Sequence, residues 1–419
     1  MAMLFVYLVM LFFAAVPIAL ALGIAPLPAL MARNIPLQMV PQAIFESLDS
    51  FALIALPFFI LAGKLMDKAS IADRLVELAH AMVNWFRGGL GGASVLATML
   101  FSTVSGSSSA TAAAVGGIVI PKMGKSGYPR PFAAAVVASA AELGIILPPS
   151  GAMIIYGVVT GASIKDMFLA GIIPGLMIGF SLFVLTAFIS SRKKYGTAER
   201  LSIAEWAANV WQAYKRAFLS LFMPVIILGG IYTGLFTATE SAVVAVIFAL
   251  VLGMFVYRTI KIRDLPGIFW SSAISAAVVL SIVGFASVLA AALSLYQVPQ
   301  KTAALIFSIS RDPYVVLLLV NVLLLVIGMF LEAYAAIIIL APVLAPAMLL
   351  LGIDPIHFGI IMIVNLAIGM VTPPVGVNLF ITCSIARISL EQILRPLVAF
   401  VAVLLVNLML ITYVPLLLK

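Results

Sequence analysis

The chain has 419 residues, of which 64% are apolar and only 9% charged, against about 25% charged in a soluble domain. Runs of roughly 20 apolar residues, enough to cross a bilayer core of ~30 Å as a helix, recur from end to end, so the composition excludes a soluble enzyme or binding domain. The net charge of +8 comes from basic residues in short loops between apolar runs, which marks membrane topology and not a nucleic-acid surface.

The first 31 residues are apolar, with no basic residue before Arg33. A secretory signal has a charged start and a shorter apolar core. The segment is therefore expected to stay in the membrane, as two short helices with a turn near Val16-Pro17. The next informative stretch is the apolar run at about 91–121. At its middle "FSTVSGSSSATAAAVGG" places seven hydroxyls, Ser102, Thr103, Ser105, Ser107, Ser108, Ser109 and Thr111, around Gly106. Each arm is about 14 residues, or roughly 20 Å of helix, too short to cross. Basic residues on both flanks, Arg87 and Lys122, predict a re-entrant hairpin with its hydroxyl-rich tip deep in the membrane. Neutral oxygens clustered there suit a dehydrated Na⁺, a hard cation that takes oxygen ligands. The start of the returning arm, Ser108–Thr111, suits a carboxylate at a helix N-terminus.

"PKMGKSGY" contains Gly124-Lys125-Ser126, the tail of a phosphate-binding loop, but Val119 stands where that loop needs its first glycine; no nucleotide site is expected. A broken helix is predicted at about 131–160, because "ELGIILPPSGAMIIYG" sets Pro148, Pro149 and Gly151 inside an apolar run. Two prolines free carbonyls that only protein or a water-filled cavity can satisfy at that depth. Glu142, just upstream, is a carboxyl inside the membrane and so a candidate coupling group. The polar segment 191–216 carries Ile203, Trp206, Val210, Trp211 and Tyr214 at helical spacing, which predicts a cytoplasmic amphipathic linker. "TATE" at Thr237–Glu240 fits a capping box opening a helix. A second hairpin is predicted at about 314–351, with Gly328 and the acidic Glu332 at its tip, and a second broken helix at about 357–387 around "GMVTPPVGVNLF". Asn378, one turn past the second double proline, is a polar side chain in an unwound region. His80 and His357 lie far apart and Cys383 is the one cysteine, so neither a transition-metal cluster nor an internal disulfide is expected.

The second half repeats the first. Under a shift of 225 residues, Pro121, Met123, Gly127, Gly144, Pro148, Pro149 and Gly151 fall on Pro346, Met348, Gly352, Gly369, Pro373, Pro374 and Gly376. Most of these are residues that fix backbone shape. Residues 1–190 and 217–419 are therefore read as two inverted-topology repeats, joined by the linker. Placing alternate loops accordingly puts 18 of the 23 basic residues in the cytoplasm, as the positive-inside rule asks. The outside keeps Arg33, Lys165, Lys301, Arg311 and Lys419. The fold class is an all-α polytopic membrane protein of two inverted repeats, each with a re-entrant hairpin and a broken helix, a plan that recurs in secondary transporters.

"SGSSSATAAAVGGIVIPKM", "LGIILPPSGAMIIYG", "GMFLEAYAAIIILAPVLAPAM" and "GMVTPPVGVNLF", four motifs in order across essentially the whole chain, resemble the large membrane subunit of tripartite ATP-independent periplasmic transporters, the DctM-like family. The resemblance implies a sodium-driven importer of organic acids such as C4-dicarboxylates, sialic acid, sugar acids or keto acids. It implies a bacterial inner-membrane location, an elevator movement, and two partners: a periplasmic substrate-binding protein and a small four-helix membrane subunit on a separate chain. It also implies Na⁺ as the coupling ion, with no other cofactor, at Ser105, Gly106, Ser107, Gly328, Thr372, Pro373 and Gly376. Substrate would meet Ser108, Ser109, Thr111, Pro148, Pro149, Ser150 and Asn378. Glu142 and Glu332 are possible coupling carboxylates because they are carboxyls inside the membrane. A stand-alone transporter of the same superfamily shares this architecture and differs in needing no partners. A channel would show pore-lining charge rings, and an intramembrane enzyme a paired nucleophile and base; the sequence offers neither.

Overall fold

The computed structural model describes residues 2–83, 85, 88–196 and 202–417. Arg87, Arg200 and Lys419 of the charge reading, and residues 197–201 of the linker, lie outside the described residues. The described chain is helical throughout. It opens with α1 (Ala2–Phe13) and α2 (Ile18–Ile24), broken near Val16-Pro17 as the sequence suggests, then α3 (Leu27–Met31) and α4 (Met39–Leu48). Next come α5 (Ala55–Lys68) and α6 (Ile71–Val83).

The first hairpin is α7 (Gly89–Ser105) and α8 (Ser108–Lys125), reversing at Gly106, whose φ of 64° no β-carbon favours. The first broken helix is α9 (Arg130–Ala141) with the short α10 (Leu143–Ile146), then α11 (Gly151–Thr160) after the prolines; the two parts meet at 41°. Then α12 (Ile164–Arg192) is long enough to span. Across the undescribed stretch, α13 (Ile203–Tyr232) starts from a Ser202–Glu205 capping box and runs unbroken past residue 216. The amphipathic linker is thus the first half of a membrane-length helix, because nothing in "YKRAFLSLF" stops it. The Thr237–Glu240 capping box opens α14 (Ala238–Val251), and α15 (Leu265–Leu295) and α16 (Val298–Ile309) follow.

The second hairpin is α17 (Pro313–Gly328) and α18 (Ala333–Leu350), the second broken helix α19 (Pro355–Met370) and α20 (Val377–Ala386), and α21 (Leu390–Leu417) closes the chain. Helices α8 and α18, and likewise α9 and α19, begin at positions related by the same 225-residue shift. The peptides Pro148-Pro149 and Pro373-Pro374 are both cis.

Among the described residues, six helices are long and apolar enough to cross a membrane, or up to eight if each bent pair is one span. The arms α7 and α17, at 17 and 16 residues, fall short of the ~20 that spanning needs. Burial separates the helices by role. Every residue of α9 from Phe132 onward and every residue of α19 from Phe358 onward is buried, so protein surrounds the first part of each broken helix on all sides. The long helices α12, α13, α15 and α21 instead leave large apolar side chains outside, Ile173, Phe180, Val225, Trp270 and Val398 among them, as a lipid-facing layer does. The halves interlock in the centre: α20 packs on α8 and α9, α11 on α18, and α12 on α19 and α21.

Candidate functional site

The hydroxyl-rich tip lies on the break of the first broken helix. Ser107 is extended and its hydroxyl caps α8 by accepting from Ala110 N, while the Thr111 hydroxyl bonds the Ser107 carbonyl at 2.8 Å and the Ser105 hydroxyl bonds it at 3.2 Å. The Ser107 and Ser109 hydroxyls are 3.2 Å apart. The Gly106 carbonyl accepts from Gly151 N at 3.3 Å and from the Tyr334 hydroxyl of the second half, also at 3.3 Å. Two glycines make this approach possible. A β-carbon on Gly106 would sit 3.0 Å from the Pro149 carbonyl oxygen, and one on Gly144 would sit 2.5 Å from that of Ser107. Carbonyl and hydroxyl oxygens from two elements therefore converge with no charged side chain among them.

A second convergence lies in the other half. Gly328 crosses Gly369 with backbone against backbone, and a β-carbon on Gly328 would be 3.1 Å from the Leu366 Cα. Past Met370 the helix unwinds. Thr372 N donates to the Gly369 carbonyl at 2.9 Å, its hydroxyl returns to Ile368 at 2.6 Å, and Gly376 N reaches the Met329 carbonyl at 3.4 Å. Glu332 caps α18 by accepting from Tyr334 N at 3.0 Å.

Both tips face one cavity of about 1220 Å³, ample for a small organic ligand. Ser105, Ser107 and Ser109 line it from the first tip, and Glu332 and Tyr334 from the second. Lys64 of α5 lines the opposite wall, where its ammonium donates to the Ser271 carbonyl at 2.6 Å and the Ser275 hydroxyl at 2.9 Å of α15. Its neighbour Gly63 lies against the tip, since a β-carbon there would be 3.5 Å from the Ser105 carbonyl oxygen; Lys64 is thus at tip depth. At one end the cavity meets the helix ends bearing Asp67, Lys68, Arg263 and Asp264.

The sequence-predicted residues separate into groups here. Ser105, Gly106, Ser107, Pro149 and Ser150 come together, with Pro148 completing the break. Gly328, Thr372 and Gly376 come together at the second crossing, beside Pro373. Of the substrate set only Ser109 lines the cavity. Ser108 is buried against Met370, Thr111 is turned onto the Ser107 carbonyl, and Ser150 caps α11 while donating to Ile145 O at 2.6 Å. Asn378 points elsewhere: its amide donates to Glu142 Oε1 at 2.6 Å, and both residues are fully buried. Tyr334 is a site residue that sequence reading missed, and Lys64, counted by the charge reading among the cytoplasmic loop residues, lies instead within α5 at the depth of the tip. The signal for Lys64 was a cation inside an apolar run, which marks function by default in a membrane.

Residues 4–417 match the family described as tripartite ATP-independent periplasmic transporter, DctM component. The chain is 42% identical to the C4-dicarboxylate TRAP transporter large permease protein DctM of Pseudomonas aeruginosa, over 89% of this chain and 86% of that one. It is 40% identical to the isethionate TRAP transporter permease protein DctMQ of Oleidesulfovibrio alaskensis, over 98% of this chain and 65% of that one. In fold it is similar to the crystal structure of the YdaH transporter of Alcanivorax borkumensis, with a TM-score of 0.66 at 18% identity, covering 90% of this chain and 88% of that one. With a family match from residue 4 to residue 417 and six membrane-length helices among the described residues, the chain belongs to the DctM component of the tripartite ATP-independent periplasmic transporters, the large permease of the inner membrane.

Proposed function

We propose that this permease imports organic acid anions by sodium symport, taking substrate from a periplasmic binding protein and working beside a small four-helix membrane subunit. The observation that carries the reading is the oxygen-rich hairpin tip, where Ser105 and Ser107 line the cavity and the carbonyls of Gly106 and Pro149 lie close behind them. Uncharged oxygens suit a dehydrated Na⁺. The crossing of Gly328 and Gly369, with Thr372 beside it, is the counterpart in the second half. The anion is received among Ser107, Ser109, Tyr334 and Lys64, residues that line the same space. Substrate class follows the relatives only as far as small organic anions. A family described as one component of a tripartite system supports the two partners.

The two halves are proposed to be inverted repeats, residues 1–190 and 217–419, because that orientation gathers most basic residues on one face. Lys68 and Arg263 at the cavity's charged end belong to loops assigned to the cytoplasm, so this arrangement is inward-open. Transport then needs the hairpins and broken helices to carry the site past α5 and α15, an elevator step. Two Na⁺ with a monoanion move one net positive charge inwards, which 100 mV drives by about 2.3 kcal/mol.

The test is thermal melting of the purified chain with its small partner, across NaCl replaced by KCl at constant ionic strength. A ligand bound only by the folded state stabilises it by about 2.7 kcal/mol at a hundred times its Kd. A saturable, Na⁺-selective rise that weakens in Ser105→Ala and Ser107→Ala is expected. Superimposable Na⁺ and K⁺ curves from folded protein would remove sodium from the mechanism.

A further inference from the structure

Glu142 and Asn378 meet across the two halves, where the end of α9 faces α20. Both are 0% exposed, and Asn378 Nδ2 donates to Glu142 Oε1 at 2.6 Å. The remaining oxygens, Glu142 Oε2 and Asn378 Oδ1, have no hydrogen-bond partner. A carboxylate and a carboxamide oxygen are both acceptors, so in the ionised state neither can satisfy the other. One proton on Oε2 resolves both at once: Oε2–H donates to Oδ1 while Nδ2–H donates to Oε1, which closes a reciprocal acid–amide pair.

Among the described residues, no opposite charge is placed to hold a carboxylate instead. Among the helices packed on α9, α10 and α20, α7 has no titratable side chain, and the basic residues of α8, Lys122 and Lys125, stand in its last turn. Arg130 begins α9, about 18 Å of helix from Glu142. Lys165, Asp166 and Arg192 sit at the two ends of α12. In α19 the one titratable group is His357, bonded to the Ile411 carbonyl near the helix start; Glu391 and Arg395 open α21, with Tyr413 near its end. Tyr156 of α11 is committed to the Pro355 carbonyl, and Cys383, a free cysteine, lies a turn beyond Asn378 and brings no positive charge.

We propose that Glu142 is a proton-holding site: it stays the neutral acid through the transport cycle and, paired with Asn378, clasps the two broken helices into one moving body. Its proton is retained and is not a coupling ion, so the inference stands apart from the sodium reading. The clasp predicts that the isosteric amide of Glu142→Gln replaces it, because Gln and Asn form the same two bonds.

The experiment uses infrared spectroscopy and uptake on the chain reconstituted with its partners. The parent should show a protonated-carboxyl C=O band that is unchanged across neutral pH, is indifferent to Na⁺ against K⁺, shifts with isotope-labelled glutamate and is absent in Glu142→Gln but present in Glu332→Gln. Glu142→Gln should transport within about twofold of the parent with the same pH profile, since both hydrogen bonds survive, whereas Glu142→Ala should lose transport. If Glu142→Gln does not fold, the isotope-shifted band in Glu332→Gln decides. Absence of that band would show an ionised Glu142 and overturn the proposal. So would a Glu142→Gln chain that loses its Na⁺-dependent melting shift, which would put a sodium ion where the proton is placed.

Discussion

Lys64 brings a full charge to the depth of the hairpin tip, and two of its three donors are spent on Ser271 and Ser275. The third remains for an anion in the cavity that Lys64 lines with Ser107, Ser109 and Tyr334. A hydrogen bond to a charged partner is worth about 1.5–3 kcal/mol. Lys64→Met should therefore raise the KM for uptake by roughly tenfold or more, while leaving the Na⁺-dependent melting shift in place. A merely bracing role between α5 and α15 predicts the opposite pattern, a lower melting temperature with unchanged KM. Uptake kinetics and melting on the same preparation separate the two.

Between elements, the decisive contact is the seating of the first hairpin on the first broken helix. Gly144 has the Ser107 carbonyl oxygen 2.5 Å from where its β-carbon would be, while Gly117, further along α8, has nothing within 4 Å. Gly144→Ala should cost about 1–3 kcal/mol by overpacking and weaken the Na⁺-dependent melting shift, because the displaced carbonyl belongs to the oxygen cluster. Gly117→Ala should be neutral or stabilise by up to ~1 kcal/mol, the helix-propensity gain. Equal effects from the two would mean that backbone flexibility, and not the seating, is what glycine supplies. The same local chemistry explains what could be read from the sequence. Both hairpins and both breaks were legible, because Gly106, Pro148-Pro149 and Pro373-Pro374 act on their own backbone wherever the rest of the chain goes. The run of α13 through residue 216 was not, since polar and apolar stretches joined by good helix formers make one helix. The cavity was also invisible: Lys64, Ser107 and Tyr334 are far apart in the chain and meet only through packing. Asn378 illustrates the limit: read as a polar group in the unwound region, it stands instead in the first turn of α20, bonded to Glu142 and away from the cavity.

For the whole molecule, the question is which parts move. The buried broken helices and the hairpin tips form a centre to which both halves contribute, and α12, α13, α15 and α21 present apolar side chains outwards. A centre that crosses as one body must expose the cavity-lining face of α8 first on one side of the membrane and then on the other. Ala113 lies on that face, and Cys383 is the one native thiol. In a Cys383→Ser, Ala113→Cys chain reconstituted with its partners, a membrane-impermeant maleimide should label from the cytoplasmic side at rest, because the cavity ends at Lys68 and Arg263. During sodium-driven uptake the same residue should also label from the periplasmic side. Labelling confined to the cytoplasmic side while uptake proceeds would mean that only small gates open around a fixed site. The two outcomes differ in what the clasp between Glu142 and Asn378 is for: a fixed site needs no rigid joint between its broken helices, whereas a site carried across the membrane must keep both halves of its lining in register at every step.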